Sequence, residues 1–351
     1  MTNALFLALL GASLFTLQAW GAYALPAENW QIIAAAPRRK EAGGSWQGVN
    51  YTFYGFFTAT ALVLAVALAL VLLRSLDIPL LWLATVMALI LGLAVPAARL
   101  VARLVEKKAH TFTVGGASFC GIVAAPWVIG SVNAVTRHMG GQAVPVMPVL
   151  AALAIALALG EGVGRLACLS FGCCYGKRMA DLPPWLAGLL RGYGTVFAGE
   201  TKKAAYEGGC CQVPLVPVQS LSAAVNTLAA LAGTGLFLAG RHASAYLVAL
   251  GLSLGWRCLA EQLRADFRGG GRLSAYQIMA AAGLLYGVLT TVLLGADLQM
   301  PPPVIRRGLA SLWQPGAILA LQGLWAAIFL YTGRSSVTRA SIAFEVVRQR
   351  V

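Results

Sequence analysis

Residues 52–73 decide the class of the fold, and they read TFYGFFTATALVLAVALALVLL. This stretch has no charged side chain, and its length matches the roughly 20 residues that a helix needs to cross a bilayer. The whole chain is similar, because 59% of its 351 residues are hydrophobic and only 11% are charged. Soluble domains carry about 25% charged residues, so a soluble fold of this size could not cover its surface. The sequence therefore predicts an all-α polytopic membrane protein with about eight or nine transmembrane helices.

The same composition excludes two other classes of protein. Disordered chains are poor in apolar residues, which this chain is not. The net charge of +14 points to anionic lipid head groups. Nucleic acid is not an expected partner, because no basic stripe interleaved with aromatic residues lies on a soluble module.

Nine apolar runs are candidate membrane spans, and they cover residues 3–24, 52–73, 79–97, 115–135, 145–164, 217–239, 244–263, 276–296 and 315–333. Run 115–135 is the weakest candidate, because several glycines and Pro126 interrupt it. The first run ends in Ala22-Tyr23-Ala24, which is similar to a signal-peptide cleavage site. No Lys or Arg precedes this run, and it is long for a signal peptide, so we expect an uncleaved helix.

Alternating spans place the three long loops, 25–51, 97–114 and 165–216, on one side of the membrane. Loop 165–216 is rich in Gly and Pro, and we expect it to fold as a small cap. Only five of the 26 Lys and Arg residues fall on the opposite side: Arg74, Arg137, Arg241, Arg306 and Arg307. The positive-inside rule would therefore make the side with the long loops cytoplasmic.

Ionisable residues inside the spans form two clusters near one membrane face. Glu161 and Arg165 end the fifth run, and Arg257, Glu261 and Arg264 end the seventh. Such residues are costly in lipid and are candidate functional residues. The i,i+4 spacing predicts the pairs Glu161–Arg165 and Arg257–Glu261, which could simply lock helices together. The excess of arginine instead indicates an anion site, because the guanidinium group binds phosphate in a bidentate manner.

The stretch 164–176 reads GRLACLSFGCCYG and resembles the signature of the bacterial prolipoprotein diacylglyceryl transferases. Four further pieces resemble other segments of that family in the same order. They are YG at 54–55, GGASFCG at 115–121, PVQ at 217–219, and residues 257–266 followed by LSAYQ at 273–277. The resemblance covers about residues 50–296.

The resemblance implies a bacterial inner-membrane enzyme with an extracytoplasmic active site. It implies transfer of diacylglycerol from phosphatidylglycerol to the lipobox cysteine thiol in the signal segment of a prolipoprotein. No cofactor or metal ion is implied.

The family's functional positions map onto named residues of this chain. Tyr54 and Glu261 are the implied catalytic residues, and Glu261 is expected to orient an arginine, Arg257. The implied substrate-binding residues are Arg165, Gly176, Gln219, Arg257 and Arg264.

The chain departs from the family pattern at the proposed general base. The family's histidine falls at Cys120, and its signature Asn and Glu fall at Cys168 and Cys173. A thiol is a weaker base than an imidazole at neutral pH, although nearby arginines can lower its pKa. His110 is the one histidine expected on the same side, so Cys120 and His110 are the two candidates for the missing base.

The seven cysteines allow three interpretations. They could be small buried apolar residues, or a disulfide could join the pair at 173–174 to the pair at 210–211 and close the cap. Metal binding is the third, although the spacing matches no standard metal motif.

We therefore predict three segments: an N-terminal helix and loop at 1–49, a transferase-like membrane core at 50–296 with its cap at 165–216, and a C-terminal helix with a basic tail at 297–351. The implied active face is extracytoplasmic, against the positive-inside count, because long folded loops translocate largely regardless of charge. Two alternatives stay open: a divergent anionic-lipid-binding relative with another acceptor or no turnover, and a thiol-redox membrane protein.

Overall fold

A computed structural model of the chain describes residues 2–106, 114–266, 273–295 and 300–351. Within these ranges, nine helices are long and apolar enough to cross a membrane, which confirms the predicted fold class. They are α1 (Asn3–Ala24), α2 (Phe53–Ser75), α3 (Leu80–Val101), α4 (Val114–His138), α5 (Val146–Phe171), α8 (Val218–Leu238), α9 (His242–Leu263), α10 (Ala275–Leu294) and α12 (Pro315–Thr332).

Helix α5 is the most deeply buried of these spans and contacts α2, α8 and α9. Small residues allow this close packing. A Cβ atom on Gly160 would lie 3.3 Å from Ala65 of α2, and one on Gly162 would lie 3.1 Å from the Thr227 hydroxyl of α8. Around this centre, α1 packs against α8, α4 against α3, α10 against α9 and α4, and α12 against α2. Close helix contact through small residues is typical of membrane bundles.

One span differs from the sequence-based prediction. Helix α5 continues to Phe171 rather than ending near residue 164, so Arg165 and Cys168 lie on a helix and not in the cap loop. The apolar residues that follow Arg165 keep the helix buried for two more turns. Helix α4 confirms the weakest of the predicted spans and is continuous through Pro126, which membrane helices tolerate.

A small three-stranded antiparallel sheet lies outside the helices, and the sequence did not predict it. Its strands are β1 (Ile32–Lys40), β2 (Trp46–Thr52) and β5 (Arg334–Ile342), in the order β1-β2-β5. The sheet therefore joins the segment before α2 to the segment after α12. Helix α11 (Ile305–Leu312) is short and packs against the carboxyl-terminal end of α2, which lies away from the sheet.

The cap predicted at 165–216 begins at Gly172. It contains α6 (Pro184–Leu189), β3 (Thr195–Val196), α7 (Lys203–Tyr206) and β4 (Pro214–Leu215). Strands β3 and β4 pair in an antiparallel manner. The small core of the cap consists of Tyr175, Phe197, Ala204, Cys210 and Leu215.

Buried polar contacts fix the cap to the membrane core. The Lys202 ammonium group donates to the carbonyl oxygens of Ser170 at 2.6 Å and Leu25 at 3.0 Å. Burial lowers the pKa of Lys202 to about 8. The side chains of Gln31 and Thr201 add two hydrogen bonds between the N-terminal segment and the cap. The entry to the cap is therefore held by α5 and by the segment after α1.

Candidate active site

An ion pair between helices α5 and α9 forms the first part of the site. The Arg257 Nη1 atom lies 2.9 Å from Glu161 Oε1, and both side chains are largely buried. The Ser118 hydroxyl of α4 donates to the same carboxylate oxygen at 2.9 Å. Three helices therefore meet at one buried carboxylate.

Two more residues pack around the Arg257 side chain. The guanidinium carbon lies 6.0 Å from the centre of the Tyr276 ring, at the start of α10. A Cβ atom on Gly115 would lie 2.6 Å from the same ring and 2.5 Å from Arg257. Gly115 is therefore needed for the close approach of α4 to Arg257 and Tyr276.

The i,i+4 pairings predicted from the sequence are wrong. Glu161 pairs with Arg257 across the helix interface rather than with Arg165 along its own helix. Glu261 lies 3.8 Å from Arg264 rather than orienting Arg257. Arg264 also makes two hydrogen bonds of 2.7 Å to Asp266. The charges are thus arranged by tertiary contacts, and Glu161 takes the positioning role that was predicted for Glu261.

Arg165 differs from the other two arginines. It is half-buried near the end of α5 and has no hydrogen bond or ion pair to any residue within the described ranges. Its electrostatic neighbours include Cys168, Cys174, Glu161 and Arg264. Since Asp266 joins the cluster, its three arginines face three carboxylates, and the excess positive charge predicted from the sequence disappears. The charge of Arg165 still lacks a direct partner among the described residues.

Three thiols lie beside Arg165. The Sγ atoms of Cys168, Cys173 and Cys174 all lie within 4.8 Å of one another, and those of Cys168 and Cys174 are 3.8 Å apart. The backbone brings them together: Gly172 ends α5 with a φ of 73°, and Cys174 also has a positive φ, of 56°. Hydrogen bonds with the other two thiols, together with burial, raise the pKa of Cys173 well above its ordinary value.

The segment after these thiols is held rigidly by backbone contacts. Gly176 pairs with Arg264 in a β-bridge, and a side chain at this glycine would collide with the Val216 carbonyl. The Tyr175 carbonyl accepts from the Ala265 amide at 3.1 Å. The resemblance assigns Gly176 to substrate binding. In the structure, its missing side chain lets the backbone approach Val216 and pair with Arg264.

Gln219, at the start of α8, contacts the backbone of the thiol cluster. Its Nε2 atom donates to the Cys173 carbonyl at 3.0 Å. Its Oε1 atom is buried and has no hydrogen-bond partner among the described residues. A buried amide oxygen without a partner costs free energy, so it marks a position where a donor would be stabilising.

The structure brings Tyr54 to the same cluster. The ring packs edge-on against Phe171, with the ring centres 5.6 Å apart. The phenol interacts electrostatically with all three thiols and with Arg165. Tyr54, Arg165 and Gln219, which were predicted from separate motifs, thus surround one thiol cluster.

The structure does not bring the predicted bases to this cluster. Cys120 contacts the Leu93 carbonyl of α3, with Sγ 3.9 Å from the oxygen. Ser118 points to Glu161, and Cys120 lies two residues further along the helix, on the side toward α3. His110 lies outside the described residues.

The predicted cap disulfide is also wrong, since none of the seven cysteines forms a disulfide. Cys173 and Cys174 turn back toward Cys168, whereas Cys210 is buried in the cap core and Cys211 is exposed.

Within the described part of the chain, nine apolar helices long enough to cross a membrane, with an arginine cluster near the ends of α5 and α9, define the class of this molecule as a polytopic membrane protein. The family model for prolipoprotein diacylglyceryl transferase matches residues 45–293, and the chain belongs to that family. It is therefore a multi-pass bacterial membrane protein of a transferase family that acts in lipoprotein biosynthesis. No individual curated protein matches the sequence significantly.

Ser118, Tyr276 and Asp266 have roles in the site that the sequence motifs do not reveal. Ser118 and Tyr276 lie within the quoted motifs, but only the tertiary packing shows that they contact the Glu161–Arg257 pair. Asp266 belongs to the 257–266 motif, and its spacing of two residues from Arg264 could have indicated the ion pair between the two side chains.

Proposed function

We propose that this protein transfers diacylglycerol from phosphatidylglycerol to the lipobox cysteine thiol of prolipoproteins. The observation that carries the proposal is the guanidinium of Arg165, which has no ion pair among the described residues and lies beside Tyr54 and the thiol cluster. A half-buried arginine that has no ion pair among the described residues is suited to bind an anion, and the phosphate of an anionic lipid is such an anion. The family match supports lipid and prolipoprotein as the substrates.

The reaction has a simple balance. The acceptor sulfur forms a bond to the glycerol carbon of the lipid, and the bond from that carbon to the phosphate oxygen breaks. The electron pair leaves on glycerol phosphate, which takes up the proton that the thiol loses. Arg165 stabilises the charge that develops on the leaving phosphate.

The other site residues support this role from fixed positions. Tyr54, whose neighbours are Arg165 and the three thiols, would donate its phenol hydrogen to the phosphate. Arg257 is neutralised by Glu161, so it contributes a directed donor rather than a free charge. Arg264 is held by Asp266 and Glu261. Arg264, Gly176 and Gln219 together fix the backbone of residues 173–176 beside the thiol cluster.

A divergent lipid-binding relative is the second candidate, and one observation favours it. Cys120 stands where the family has its histidine, and its thiol contacts α3 rather than the arginine cluster. Without a base at that position, the protein could bind the anionic lipid and use another acceptor, or none.

Complementation of a strain depleted of its own diacylglyceryl transferase tests the proposal. The wild-type chain should restore growth and lipid modification of a reporter prolipoprotein, as measured by mass spectrometry. Arg165→Ala should not restore them, whereas Arg137→Ala, which removes an exposed arginine at the far end of α4, should. If the inserted wild-type protein binds phosphatidylglycerol but modifies no prolipoprotein, the second candidate is correct.

We further propose that the protein lies in the inner membrane with the thiol cluster facing the extracytoplasmic side, where prolipoprotein signal segments arrive. A reporter inserted at Ala205 tests this orientation. An extracytoplasmic reporter such as alkaline phosphatase should be active there. Activity of a cytoplasmic reporter alone would contradict both the orientation and the transferase proposal.

A further inference from the structure

We propose that Cys168, Cys173 and Cys174 bind a Zn²⁺ ion through three thiolates and leave its fourth position open for the thiol of the acceptor. The second half of this proposal rests on the proposed function, whereas the three-thiolate site does not.

The distances between the sulfur atoms fit a zinc ion. Zn–S bonds of about 2.3 Å in a tetrahedral site place the sulfurs about 3.8 Å apart. The Sγ atoms of Cys168 and Cys174 are 3.8 Å apart, and Cys173 lies within 4.8 Å of both. Small rotations of the Cys173 side chain would complete the triangle.

The backbone already holds the ligands in this arrangement. Cys174 adopts a left-handed conformation that is uncommon outside glycine and that turns its side chain back toward α5. The amides of Gly172 and Cys173 both donate to the Cys168 carbonyl, at 2.8 and 3.2 Å. Backbone strain of this kind persists where the surrounding structure fixes it. The site is therefore organised before any ion arrives.

The surrounding charges fit the loaded site. Zn²⁺ with three thiolates carries one net negative charge, and a fourth thiolate would make it two. Arg165 and Arg264 both interact electrostatically with Cys174. Arg165, which has no ion pair among the described residues, would compensate the single negative charge of the three-thiolate site. Arg264, whose own charge is held by Asp266 and Glu261, adds a favourable field at Cys174.

Gln219 provides an observation that is independent of the thiols. Its side chain is fixed beside Cys173, and its buried Oε1 atom has no partner among the described residues. An unpartnered buried oxygen next to the cluster marks a place where the bound species would supply a donor, such as a water held by the metal.

An open position on zinc would also solve the problem of the missing base. Three protein ligands and one exchangeable position are typical of catalytic zinc sites. A thiol that coordinates the metal is deprotonated outright. The acceptor thiol would thus become a nucleophilic thiolate without histidine, and its proton would end on the departing glycerol phosphate.

The metal content of the purified full-length protein tests the site. Wild-type protein in detergent should hold about one Zn²⁺ per chain. Cys168→Ser, Cys173→Ser and Cys174→Ser should each lower this content by at least tenfold, and Cys211→Ser, an exposed cysteine outside the cluster, should leave it unchanged. Metal-free wild-type protein, or a Cys168–Cys174 disulfide in freshly isolated membranes, would overturn the proposal.

Spectra of the Co²⁺-loaded protein keep the test valid if a serine variant folds poorly. Three thiolates should give a strong thiolate-to-cobalt absorption, and a peptide with a lipobox cysteine should raise it by about one third as the fourth thiolate binds. The same peptide with serine in place of its cysteine should have no effect. Equal spectra with the two peptides would exclude coordination of the acceptor thiol.

The site and the proposed function can fail separately. Zinc bound by the three cysteines in a protein that does not complement would leave the site standing and remove the transferase function. Complementation by a metal-free protein would retain the transferase and remove the zinc.

Discussion

Arg257 and Arg165 lie in the same cluster, but their charges have different surroundings. Arg257 is held by Glu161 at 2.9 Å and packs against the ring of Tyr276. Arg165 has no direct partner among the described residues and faces thiols instead. Two arginines from similar motifs therefore have different roles. The paired arginine joins helices, and the unpaired one remains available to a substrate.

The largest effect should come from breaking the buried pair. Glu161→Ala would leave Arg257 without its counter-charge, and removal of one partner from a buried ion pair costs about 3–5 kcal/mol. We expect a large loss of thermal stability in detergent, measured by the unfolding temperature. The double variant Glu161→Leu/Arg257→Leu should be more stable than either single variant. Equal stabilities for Glu161→Ala and wild type would show that this pair does not join the helices.

Arg165→Ala should spare stability and reduce turnover. Loss of one preorganised charge donor typically lowers the rate by about 10²–10³-fold. Arg165→Lys should restore only part of the activity if the phosphate contact is bidentate. Quantitative mass spectrometry of the lipidated product gives the rate. A stability loss as large as that of Glu161→Ala would instead place Arg165 in the same structural class as Arg257.

Lys202 should make the stability of the cap depend on pH. The folded protein releases the Lys202 proton near pH 8, whereas the unfolded chain holds it until the ordinary pKa of 10.5. The unfolded state therefore binds more protons between these values, and the free energy of unfolding should rise with pH, by at most about 3 kcal/mol. Below pH 8 the buried ammonium group is charged, and this gain is absent.

The matched variant is Lys202→Met, which keeps the length of the side chain but cannot titrate. Unfolding curves between pH 8 and 10 should show a rise for wild type that the variant lacks. Other titrating groups are present in both proteins and cancel in the difference. Parallel curves would mean that Lys202 does not lose its proton in the folded state.

The smallest effect should come from Cys120. Its thiol makes one weak contact with the Leu93 carbonyl. Cys120→Ser should therefore change the turnover rate by less than about twofold and the free energy of unfolding by less than about 0.5 kcal/mol. Complementation and the lipidation rate measure this. A loss of about 10²-fold or more would make Cys120 the general base and would contradict the position that the structure gives it.

The sequence predicted the helices well because membrane spans depend on local apolar length, as in 3–24 and 315–333. It misjudged the end of α5, because the glycines and Arg165 interrupt the apolar run while tertiary packing continues the helix to Phe171. The partners of Glu161 and the grouping of the three thiols could not be predicted. Both depend on how α5 meets α9 and on the turn at Gly172, which no local spacing shows.

The small sheet places the carboxyl-terminal segment on the same side of the membrane as the thiol cluster. Strand β5 follows α12 and pairs with β2, which precedes α2, so both lie on one side of the membrane. The eight apolar helices from α2 to α12 are an even number of crossings, which agrees with this pairing. Followed backward from β5, the chain passes through four of these helices, α12, α10, α9 and α8, before it reaches the bend at Gly172. Four is an even number of crossings, so this bend faces the same compartment as β5. An epitope after Val351, tested for antibody access in intact and permeabilised cells, therefore reports the compartment that the thiol cluster faces.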